Sequence, residues 1–301
     1  MALAVSGCGG SASSSSTATR TTASPPPGSI AALLARPGAD VALAAGTSAH
    51  VPGPIRVSFL VVRNDGSTVD RPTARVWIAT GLRQRPYERG TATLEPIGVP
   101  NKSAPALGGA QTIYVAHLQA PRPGRYWLLA EPGGASPRIQ GLGNVTVTAH
   151  SSEPAIGARA IPSKTPTIAS THGNFRALTT ASPPDRALLR YSIAESIAAH
   201  KPFVVVFATP KYCTSRTCGP VVDVVDAVRK RFTSSDVRFI HVEVYKNNNP
   251  QKGYNRWFKQ WRLPSEPWIF LVGGDGRVKA KFEGSVSVDE LAKAVRTNLA
   301  A

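Results

Sequence analysis

The chain has 301 residues, with 35 Lys and Arg against 18 Asp and Glu, a formal charge of +17. A 42% hydrophobic content excludes wholesale disorder, the length suits two domains, and no run approaches the roughly 18 apolar residues of a membrane span. Three cysteines are too few for a disulfide-rich scaffold, a single methionine argues against a thioether copper site, and the basic residues form no Arg-rich arm, zinc-finger spacing or RNA-binding aromatic signature, so a basic surface is expected and no nucleic-acid partner.

Residues 1–45 read as a leader and tether. A Ser/Thr/Ala/Pro-rich stretch runs to about Gly28 and cannot bury enough apolar area to order itself. Within it, Val5-Ser6-Gly7-Cys8 resembles the lipobox of bacterial lipoproteins. The resemblance implies a signal peptide, acylation of Cys8, and a tether (Ser11 to Thr22) holding the rest at the outer face of the cytoplasmic membrane, in the cell envelope. Only a few apolar residues and no basic segment precede Cys8, so the signal reads as truncated.

Residues 46–150 read as β. Ile55, Val57, Phe59 and Val61 alternate with other residues, and Asn64-Asp65-Gly66 supplies a turn. Short strands follow around Ala74–Ile78, Tyr114–Leu118, Gly124–Leu129 and Val145–Val147. This punctuation, with no helical period, predicts an all-β sandwich, and Pro123-Gly124-Arg125-Tyr126 resembles the opening of a late strand of an immunoglobulin-like domain, here without the inter-sheet disulfide. His50, His117 and His150 have no metal-ligand spacing. Residues 151–184 form a Pro-rich connector.

From 185 to 301 helices and strands alternate. Ser192-Ile-Ala-Glu195 is a capping box, Phe203–Phe207 a strand buried on both faces, Pro220–Phe232 an amphipathic helix and Val237–Tyr245 a second, parallel strand. A helix over Gly253–Trp261, a hairpin of Trp268–Val272 with Arg277–Phe282, and a helix opened by Ser287-Val-Asp-Glu290 complete the order. Tyr254, Trp257, Phe258 and Trp261 form a stripe at helical spacing, read as core packing.

This order, with Pro210-Lys-Tyr-Cys213 after the buried strand, Cys218-Gly-Pro220 at the next helix start, and Pro267 just before a strand, resembles the thioredoxin-like superfamily. The resemblance implies an α/β thioredoxin-like domain, a redox cysteine pair and a cis-proline at Pro267 beside the sulfurs. Its motif is Cys-x-x-Cys; here four residues separate Cys213 from Cys218. Five residues of helix rise about 7.5 Å, beyond the roughly 6.8 Å limit for disulfide Cα atoms, so a bonded pair requires a loop with the helix starting near Cys218. The helix N-terminus, Lys211 and Arg216 would favour thiolate. Either cysteine can be aligned with the family's nucleophile; Cys213 is taken as attacking and Cys218 as resolving. Val206 or Phe207 stands where the family has a buried acid, leaving Glu266 as the candidate for proton transfer. Tyr212, Arg216 and Trp268 are the candidate substrate-facing residues.

The expectation is therefore an exported thiol–disulfide oxidoreductase acting on protein thiols and disulfides, anchored to the membrane by lipid, with no metal and no cofactor. The alternative is a non-catalytic binding or assembly protein with a structural disulfide. Two further readings fit less well. A peroxidase pattern places Thr217, not cysteine, at the reactive position, and a copper chaperone would need His241 near the sulfurs. Oligomeric state is left open.

Overall fold

The computed structural model describes residues 24–106, 109–134 and 136–299. Cys8 and the lipobox lie outside the described residues. Two regular arrangements follow each other along the chain, and both are built around sheets.

The first is a closed barrel. Its strands are β1 (Ala39–Ala45), β2 (Gly53–Val62), β3 (Thr73–Ala79), β4 (Glu88–Pro96), β5 (Thr112–Ala120), β6 (Gly124–Pro132) and β7 (Ile139–Val147), and they lie in the order β1-β2-β5-β4-β3-β6-β7. Alternation along each strand sends one set of side chains inward. Val57, Phe59, Val76, Ile78, Tyr114 and Leu128 fill the interior, where the Tyr114 hydroxyl donates to the Val69 carbonyl at 2.9 Å. Closure comes from β1, which pairs antiparallel with β2 and parallel with β7. The seam is tight: a Cβ on Gly143 of β7 would lie 2.5 Å from the Leu43 carbonyl oxygen of β1. A short helix, α1 (Ile30–Leu34), capped by the Ser29 hydroxyl, precedes β1 and buries Ile30 against Trp77, Ala79 and Leu129.

The second is a four-stranded sheet ordered β11-β10-β8-β9, from β8 (Phe203–Phe207), β9 (Arg238–Val242), β10 (Trp268–Val272) and β11 (Val278–Glu283). β8 and β9 are parallel; β10 runs antiparallel to both β8 and β11. Every residue of β8 and β10 is buried, which explains their unbroken apolar runs. One face packs on α3 (Cys218–Arg231) and α5 (Val288–Asn298) through Val221, Val224, Val228, Leu291 and Val295. On the other, Phe207, Phe258, Trp261, Trp268 and Phe270 form an aromatic core. α2 (Ile193–Ala198), opened by the Ser192–Glu195 capping box, and α4 (Arg256–Gln260) are single short turns.

The expected fold class is overturned. The chain is mostly β, a closed seven-stranded barrel plus a small sheet with few helices, not an α/β thioredoxin-like domain joined to an open immunoglobulin-like sandwich. One physical reason is β1. It arises from the stretch read as tether, and by pairing with both β2 and β7 it removes the two edges that a sandwich would leave. β4, absent from the sequence reading, fills the place between β3 and β5. In the second half, the helix expected over 253–261 shrinks to five residues beside 3-10 turns.

The two arrangements are tied together by polar side chains. Arg56 of β2 donates through Nε and Nη2 to both carboxylate oxygens of Glu290 on α5 (2.7 and 2.8 Å) and through Nη2 to the Ser285 carbonyl. Glu283, ending β11, accepts the Ser48 and Ala49 backbone N–H groups and the Ser48 and Ser265 hydroxyls. Asp223 of α3 accepts from Ser103 and pairs with Lys102, both in the loop after β4. Among the described residues, no helix is long and apolar enough to cross a membrane.

Candidate functional site

The two sulfurs of Cys213 and Cys218 are bonded, with Cα atoms 5.9 Å apart. Residues 214–217 form a loop, and α3 begins at Cys218. Arg216 turns the loop with a positive φ of 57° while its N–H donates to the Cys213 carbonyl at 3.1 Å. Ser215 lies 3.3 Å from the Cys213 sulfur and 2.7 Å from the Thr217 hydroxyl. Pro220 occupies the first turn of α3, where a missing N–H costs nothing. The Cys218 sulfur therefore stands at the positive end of a fourteen-residue helix, which favours thiolate once the bond opens. Cys213 is 8% exposed and Cys218 is sealed.

Glu266 is brought to the same place by the loop leading into β10. Its Oε2 lies 3.5 Å from the Cys218 sulfur and accepts the Thr209 backbone N–H at 2.8 Å. Burial pushes its carboxyl up to about 7, with the nearby Glu243 charge adding to the rise and bonds from Thr209 and the Tyr245 phenol opposing it. The same surroundings, burial first, raise Tyr245 to about 12. The Glu266–Pro267 peptide is cis, and the Pro267 carbonyl accepts the Gly284 N–H at 3.0 Å.

The other candidates are placed differently. Tyr212 and Arg216 are exposed on the loop, with Lys211 Nζ 5.4 Å from the Tyr212 ring centre. Trp268 is 1% exposed and stacks on Phe270, its Nε1 donating to Ser265. It therefore lies in the aromatic core and borders a separate cavity between barrel and sheet, whose lining includes neither cysteine. His241 is buried with Nε2 2.9 Å from the carbonyl of Ala208, the residue just past the end of β8. No group of three or more His, Cys, Asp or Glu residues is arranged to hold a metal among the described residues.

Sequence reasoning missed two features of the site. One is the polar support of Glu266: buried Glu243 accepts the Thr180 backbone N–H and hydroxyl, and Thr209 reaches Glu266. A glutamate two residues after His241, inside an otherwise apolar strand run, was the available signal, because an acid is rarely buried without a partner. The other is the barrel itself. A cleft of about 380 Å³ is bounded by Ser215, Thr217, Glu266 and Pro267 on one side and by Leu60, Ile97, Ala106 and Ile113 of the barrel and its loops on the other. No family model matches the chain, and no curated protein matches it in sequence.

Proposed function

We propose that the chain is a thiol–disulfide oxidoreductase working through the Cys213–Cys218 pair. One observation carries the reading: a half-buried carboxyl with a pKa near neutrality stands 3.5 Å from the sulfur of Cys218. Opening the bond by an incoming thiolate at Cys213 makes a mixed disulfide and expels Cys218 as a thiolate. Glu266, protonated below about pH 7, supplies the proton that this sulfur takes up. In the reverse sense, the Cys213 thiolate attacks a substrate disulfide and releases one substrate thiol. Ionised Glu266 then draws the proton from Cys218, whose thiolate attacks Cys213 and releases the second thiol. Each cycle moves two electrons and two protons between the pair and the substrate.

The test is the rate at which excess small thiol opens the oxidised pair, normalised to attacking thiolate. It should fall as pH rises through about 7 and become flat in Glu266→Gln. The burial of both cysteines favours a second reading, a static brace in a binding or assembly protein. A midpoint potential below about −300 mV, with identical opening rates in wild type and Glu266→Gln, would establish the brace.

The same proposal sets the chain outside the cytoplasmic membrane, tethered through an acylated Cys8. Its supports are the Val5-Ser6-Gly7-Cys8 motif and a disulfide suited to an oxidising compartment. Palmitate label incorporated by the wild type and absent from Cys8→Ala is the expected result.

A further inference from the structure

A β-barrel whose outside faces water places polar residues there. This barrel does so except at two patches: one, around Trp77, Ala79 and Leu129, is covered by α1, and the other is not. Along β2, Val57, Phe59 and Val61 point inward, and along β5, Tyr114 and Ala116 do, so Leu60, Ile113 and Val115 lie on the outer surface. There they cluster with Ile97 and Ala106 from the connection between β4 and β5. The patch meets the disulfide loop: Leu60, Ile97, Ala106 and Ile113 form one wall of the cleft that has Thr217 and Pro267 on the other. Gly98 shows how close the approach is, since a Cβ there would lie 2.7 Å from the Pro220 side chain at the start of α3.

From this wall, and resting on the redox reading above, we infer that the barrel is the specificity element of the site and that the substrate is a small, uncharged disulfide or its dithiol counterpart. Three observations argue for it. The cleft, about 380 Å³, falls at the lower end of small-molecule sites, which run from about 300 to 1,000 Å³. Cys213 is only 8% exposed, and it meets the cleft through Ser215, which lies 3.3 Å from its sulfur and borders the cleft, an approach that suits a slender molecule better than the surface of a folded protein. The charge lining is one-sided. Among the described residues no lysine or arginine borders the cleft; its charged groups are the carboxyls of Glu266 and Glu283. Glu283 is already committed to four donors, so a carboxylate-bearing disulfide meets no counter-charge there.

The experiment uses the full chain carrying Cys8→Ser, reduced and freed of reductant. It is mixed with one of three disulfides: bis(2-hydroxyethyl) disulfide, which is small and neutral; 3,3′-dithiodipropionate, small and dianionic; or insulin, a folded protein. Each turnover forms the Cys213–Cys218 bond, breaks the substrate disulfide and releases two substrate thiols. The neutral compound should react at least tenfold faster than either of the others. Leu60→Lys, which sets a cation on the wall, should raise the dianion's rate at least fivefold relative to the neutral compound's rate. Equal rates for all three, or insulin as the fastest, would overturn the inference while leaving the oxidoreductase reading intact. A folded Leu60→Lys chain whose dianion rate does not rise relative to the neutral compound's rate would overturn the charge argument. Failure to oxidise with any disulfide would sink the redox reading and this inference together.

Discussion

Glu266 differs from the surface carboxylates of this chain in where its proton is held. Its pKa rises from 4.5 to about 7 because burial disfavours the charge, so the folded protein binds this proton more tightly than the unfolded chain does. The stability from the protonated group is whole below about pH 4.5 and is lost as pH rises through about 7, a change of about 3 kcal/mol. Glu266→Gln should remove it. Urea unfolding of the oxidised protein at pH 5 and pH 8 should show wild type losing stability relative to the variant, with the difference confined to that interval. At this scale the sequence was informative about identity and silent about surroundings. The position of Glu266 beside Pro267 marked it as a candidate. Its neighbours Thr209, Thr180 and Glu243 come from three separate segments, and their meeting depends on tertiary packing that no local pattern encodes. Trp268 is the converse case. Its place next to Pro267 suggested a substrate floor, but alternation along β10 turns its ring into the aromatic core.

Strands and helices with strong patterns were readable. The apolar runs of β8 and β10, the capping box of α2 and the amphipathic spacing of α3 each carry a local signal that burial then uses. β1 and β4 lack such a signal. Their burial alternates, but along β1 only Leu43 and along β4 only Ala92 is fully buried, and the small residues around them (Ala, Gly, Thr) give the sequence no strong apolar pattern. Without these two, the remaining strands read as an open sandwich, and the closed barrel was invisible. The connection between β4 and β5 gives the element-scale prediction. Gly98 has φ 79°, and a Cβ there would lie within 2.7 Å of both Ser103 and Pro220. Gly98→Ala combines left-handed strain of about 1–2 kcal/mol with displacement of that connection from α3. A lowered urea midpoint should accompany faster alkylation of reduced Cys213 as the wall moves back.

Over the whole molecule, barrel and sheet are held by groups far apart in sequence. The bidentate Arg56–Glu290 pair joins β2 to α5, with side chains only 13% and 20% exposed. A double-mutant cycle on Arg56→Ala and Glu290→Ala should give a coupling of about 1–3 kcal/mol, well above that of an exposed pair. Loss of the pair should also make the 151–184 connector more susceptible to limited proteolysis if it anchors the two arrangements, and an unchanged cleavage pattern would assign the anchoring to the Glu283 and Asp223 contacts.

The parallel seam between β1 and β7 also orders events in time. Ala39 pairs with Ile139, about a hundred residues further on, so the cylinder stays unsealed until its last stave has been synthesised. Cys213 and Cys218 come later still. Synthesis from the amino end therefore supplies every stave of the cylinder before either cysteine, and the cylinder can close while the two thiols are still to come.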